Sequence, residues 1–89
     1  MKLTEVQQQA VQARMNLIVG ANEYDRLFLG VIFSEVIGGV LYAFAQSETL
    51  AAEIEEKYAL HLSIIVGQIA ATPVEFVQFL SAELHQRHG

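Results

Sequence analysis

At 89 residues the chain has room for one domain, and its lack of cysteine excludes a disulfide scaffold, a thiolate zinc site and a cysteine nucleophile. Ten carboxylates against five Lys/Arg, a net charge of −5, argue against a phosphate backbone as the main partner. Yet 53% of the residues are apolar and 17% charged, where an ordinary soluble domain carries about a quarter charged, which is more apolar surface than one small core can use.

The chain opens on Met1-Lys2-Leu3-Thr4-Glu5 and then the glutamines Gln7, Gln8, Gln9 and Gln12, with no apolar stretch of the kind a secretory signal needs. A cytoplasmic location is the expectation. Thr4 and Gln7 have the spacing of a capping box, in which hydroxyl and amide each satisfy an orphan backbone donor. They predict a helix over 4–19 with Leu3, Val6, Ala10, Ala13 and Leu17 on one stripe, ended by Gly20. Asn22 caps a second helix, expected over 23–45, in which Leu29, Ile32, Phe33, Val36, Ile37, Val40, Ala43 and Phe44 recur at steps of one, three or four. Ser47 or Thr49 caps a third, over 48–71, whose apolar arc holds Ala51, Ile54, Tyr58, Leu62, Ile65 and Ile69. Leu60 and Ile64 fall on its polar side, apolar where water should be. Thr72-Pro73-Val74-Glu75 sets a cap, a first-turn proline and an early glutamate, and predicts a last helix over 73–86. The expected fold is an all-α single domain, 1–89, of four helices around a central hydrophobic antiparallel helical hairpin.

Two stripes of small residues mark that hairpin: Gly30, Ser34 and Gly38 on the second helix, and Ala59, Ser63, Gly67 and Ala71 on the third. Residues four apart share a helix face, so each stripe admits a close backbone, within the fold or from another copy. Glu35 stands alone among apolar neighbours, with Tyr42 along its own face and Tyr58 and His61 across the hairpin. Such a carboxylate needs a partner, either a tyrosine hydroxyl or a cation on another chain. A ligand or metal site centred on Glu35 is an alternative, weakened because carboxylate-bridged bundles use Glu-x-x-His pairs and none occurs here. His85 and His88, three apart, have the spacing of a chelate but also suit the carbonyl end of a helix. Glu48, Glu53, Glu55 and Glu56 crowd the start of the third helix, which favours the helix dipole and presents an acidic face.

Leu27 to Ala45 also has the length of a membrane span, so a holin-like two-helix membrane-active protein is a second alternative. Glu35 at its middle and the lack of a flanking Lys/Arg cluster disfavour a membrane as partner. No phosphate-binding glycine loop, serine-nucleophile elbow or basic–aromatic stripe is present. The expectation is therefore a non-enzymatic, homo-oligomeric interaction or regulatory protein without a cofactor. Its partners would be itself, as a dimer or higher, and another protein, met through Glu35, Tyr42, Gly30, Ser34, Gly38, Leu60 and Ile64.

Overall fold

The structure, a computed structural model, describes residues 1–81. Helix α1 spans Glu5–Val19, and its capping box is present in full: Thr4 Oγ1 accepts the Gln7 amide at 3.1 Å while Gln7 Oε1 accepts the Thr4 amide at 2.9 Å. Gly20, at φ 88°, ends it and turns the chain into a short helix α2, Ala21–Phe28. Helix α3 covers Glu48–Ala70, capped by the Ser47 hydroxyl and closed by Ala71 in the left-handed conformation. Helices α1 and α3 start at expected caps and match the sequence expectation, whereas α2 starts after Gly20 with no side-chain cap, so Asn22 lies inside it and does not cap it.

The rest of the chain is not helical. Strand β1, Ile32–Ile37, and strand β2, Val40–Ala45, form an antiparallel hairpin where a single helix over 23–45 was expected. Gly38 and Gly39 are its two-residue turn, at φ 56° and 78°. Positive φ at both central positions is what a type I′ turn requires, and its twist matches that of the flanking strands. Strand β3, Phe76–Ser81, lies parallel to β2 with Leu41 opposite Val77 and Ala43 opposite Phe79. It replaces the expected fourth helix, whose remaining positions fall outside the described residues. A parallel return needs a long crossover, and α3 supplies it. The Gly39 carbonyl accepts the amides of Glu75 at 2.7 Å and Phe76 at 3.1 Å, which pulls the post-proline segment into extended pairing. The all-α expectation is thus corrected to an α+β fold, three helices with a mixed sheet of order β1-β2-β3 among the described residues.

The core lies between one sheet face and the helices. Phe33, Val36, Leu41, Ala43, Ala45 and Phe79 point inward from the strands to meet Val11 and Met15 of α1, Leu27 and Phe28 of α2, and Ile54, Leu62 and Val66 of α3. On α1 the buried positions are Val11 and Met15, whereas Val6 and Leu17 of the expected stripe are 75% and 85% exposed. Arg26 of α2 joins α3 through an exposed network: its guanidinium bonds Glu23 (2.9 and 3.0 Å) and both carboxylate oxygens of Glu53, which also accepts from Lys57 at 2.9 Å. Hydrogen bonds from Arg26 and then Lys57 pull the Glu53 carboxyl down to about 2.

Candidate interaction surface

Alternation along the strands sends Ile32, Glu35 and Ile37 of β1, Val40, Tyr42 and Phe44 of β2, and Phe76, Gln78 and Leu80 of β3 to the face away from the helices. The pairing register aligns them in three rows across the sheet. The outer rows are apolar, Ile32–Phe44–Leu80 at one end and Ile37–Val40–Phe76 at the other. The middle row is polar, Glu35–Tyr42–Gln78. Ile32, Ile37, Phe76 and Leu80 are 52%, 53%, 66% and 42% exposed, so no described element packs over them. Large side chains held side by side at this exposure make each outer row an apolar strip, on either side of the polar middle row, rather than isolated surface residues.

Of the residues singled out in the sequence, Glu35 and Tyr42 come together as a directly opposed cross-strand pair in that middle row. No described side chain hydrogen-bonds or pairs with the Glu35 carboxylate, which is half-buried on the face away from the helices. Tyr58 and His61 do not join it. They sit on α3, across the sheet, in an edge-to-face pair 5.8 Å apart, with Tyr58 against Phe28. Ser34 occupies a bulge in β1, and its carbonyl accepts the Leu3 amide at 3.0 Å. Gly38 forms the hairpin turn, and Gly30, at φ 77°, lies in the turn before β1 with the Gln46 amide packed against it. The stripe Gly30–Ser34–Gly38 therefore does not exist as a helix face. On α3 the small residues do share a side, and Gly67 admits the segment that leads to β3: a Cβ there would stand 3.3 Å from the Thr72 carbonyl oxygen.

Leu60 and Ile64 are 71% and 53% exposed. With Ala59 and Ser63 they flank an open groove of about 480 Å3 whose other side is Val74 to Val77. Of the seven residues, Glu35 and Tyr42 lie on the sheet face and Leu60 and Ile64 beside the α3–β3 groove, while Gly30, Ser34 and Gly38 shape the turns and the bulge around β1. Sequence reasoning missed the sheet face itself, because Ile32, Ile37, Phe76 and Leu80 were assigned to helices. The two-residue Gly-Gly break between six-residue apolar runs was the signal that could have found it.

Among the described residues no three His, Asp or Glu side chains converge as a metal site, and no helix is long and apolar enough to cross a membrane. The stretch Leu27 to Ala45, a candidate span by length, is the end of α2 and a β-hairpin. His85 and His88 lie outside the described residues. No protein family's sequence profile matches the chain, and no curated protein is similar to it.

Proposed function

We propose that this chain is a non-enzymatic interaction protein of the cytoplasm that self-associates through the open face of its sheet. The observation that carries the reading is the exposure of Ile32, Ile37, Phe76 and Leu80 in the apolar rows that flank Glu35, Tyr42 and Gln78. The pattern is self-complementary. A two-fold axis running along β2 in the plane of contact lays each β1 over the partner subunit's β3. Apolar rows then meet apolar rows, and the Glu35 carboxylate faces the amide of the partner subunit's Gln78, an acceptor against a donor. An axis across the strands would instead stack Glu35 on itself, like charge on like, at an interface where that is costly. Packed sheets cross at about 30° and stand about 10 Å apart, which suits side chains of these sizes.

Size bounds the strength. Three strands at about 4.8 Å spacing and six residues at about 3.3 Å give a face of roughly 14 by 20 Å. That is below a standard stable interface, so the association is concentration-dependent and of the transient kind. A second protein that offers an apolar face competes for the same surface, which fits a regulatory role. The test is the mass in solution from low micromolar to near-millimolar concentration. The wild-type chain is expected to rise from one copy towards two, and Ile37→Lys to stay at one copy with an unchanged circular dichroism spectrum. A wild-type mass of one copy across the whole range overturns the proposal.

A further inference from the structure

The two edges of the sheet are treated differently. Along β1, residues Met1 to Leu3 run antiparallel and close the outer edge: the Met1 and Val36 backbones exchange bonds of 2.9 Å, and Lys2 bridges Glu35. Along β3, no described strand pairs with the outer edge. An edge of this kind is a template for a further strand. Its Phe79 amide points outward and is held by Glu55 Oε2 at 2.8 Å, so the carboxylate of α3 sits where the carbonyl of an added strand would sit. Alternation turns the Val77 backbone to the same side.

Beside that edge runs the side of α3, and the gap continues along the strand as grooves of about 480 and 340 Å3. Its helix side is low, with Ala52, Ala59 and Ser63, and its upper end is walled by Leu60 and Ile64. Among the described residues, the charged side chains that line it are Glu48, Glu55 and Glu75, all acidic. We infer that the groove binds an extended peptide bearing cationic side chains, which joins the sheet as a strand outside β3. The incoming carbonyl takes the Phe79 amide, and the released Glu55 carboxylate meets a peptide ammonium or guanidinium group. Apolar side chains on the alternate positions reach Leu60 and Ile64. The six residues of β3 set the bound length at about 20 Å. Charge decides against a second copy as occupant, because β3 paired with its own kind would bring two Glu55 carboxylates to one edge. This is the strand-addition mode, in which backbone bonds supply affinity and alternate side chains supply specificity.

The test uses synthetic hexapeptides titrated into the isotope-labelled full chain, followed by amide chemical shifts and by anisotropy. One alternates lysine and valine, one alternates glutamate and valine, and one is the lysine peptide N-methylated on every second residue. The lysine peptide is expected to bind and to move the Val77, Phe79 and Leu60 signals, more weakly as salt rises. The glutamate and N-methylated peptides are expected to bind at least tenfold more weakly. Glu55→Gln, which keeps an acceptor for the Phe79 amide, should weaken the lysine peptide by about two- to fivefold, the range of an exposed ion pair. Binding that ignores charge or N-methylation, shifts centred on Ile37 and Tyr42, or no binding of the lysine peptide each overturns the inference. So does pairing of two copies along β3, seen as Val77 and Phe79 shifts on concentration in Ile37→Lys. The groove shares Phe76, Gln78 and Leu80 with the sheet face, but Leu60 and Val77 report the groove and Ile37 and Tyr42 report the face, so these outcomes are distinguishable from failure of self-association.

Discussion

Replacing Gly38 by alanine has opposite signs in a helix and in the hairpin turn. In a helix interior the substitution raises propensity and stabilises by about 1 kcal/mol. In the structure Gly38 has φ 56°, in the left-handed region, beside Gly39 at 78°. A Cβ built there meets nothing within 4 Å, so the cost comes from the backbone conformation alone. Holding an L-residue in that region costs about 1–2 kcal/mol. The reduced freedom of the unfolded chain returns about 0.4–1 kcal/mol. From the middle of both ranges, the net expectation is a loss of about 0.5–1 kcal/mol. For a domain of this length each kcal/mol moves the melting temperature by about 4–8 °C, so Gly38→Ala should melt about 2–8 °C below wild type. Gly38→Asn should melt close to wild type, because asparagine tolerates left-handed φ and precedes glycine in the preferred type I′ pair. Gly38→Val, β-branched, should be the worst of the three. The assay is thermal and urea unfolding at one fixed protein concentration, since self-association would otherwise shift the midpoint. A rise in melting temperature for Gly38→Ala would refute the hairpin and restore a helix through this segment.

Two further outcomes follow from the packing and the charges. Phe33 is fully buried opposite Ala43 on the inner sheet face; Phe33→Ala should cost about 3–5 kcal/mol by urea unfolding, and a cost under 1 kcal/mol would show that the sheet does not carry the core. The Glu53 carboxyl is lowered from 4.5 to about 2 by Arg26 and Lys57, so its contribution is full above pH 4.5 and lost as pH falls through about 2. The gap in melting temperature between wild type and Glu53→Gln should therefore close on acidification across that window, and narrow in high salt; a gap independent of pH counts against the network.

The sequence by itself determined what is encoded within a turn or two of chain. Thr4 with Gln7, and Ser47 ahead of Glu48, start α1 and α3 where they are observed, because a cap satisfies its donors three residues away. The inward arc of α3 and the exposure of Leu60 and Ile64 follow from its period for the same reason. The apolar excess was legible too, as an uncovered surface rather than as its location. What the sequence left open was settled by pairing over distance. The run from Leu29 to Phe44 is so densely apolar that steps of three and four and steps of two are both satisfied, and only the Gly38–Gly39 turn and the ladder to β2 choose between them. Pro73 and Glu75 carry helix-start chemistry, but the Gly39 carbonyl and the β2 backbone, more than thirty residues back in the chain, claim the amides from Glu75 onward. Strand pairing is a contract between segments that no local window contains. It moved Glu35 and Tyr42 from an imagined helix interior to the centre of an open sheet face, and it left the outer edge of β3 beside the acidic groove of α3.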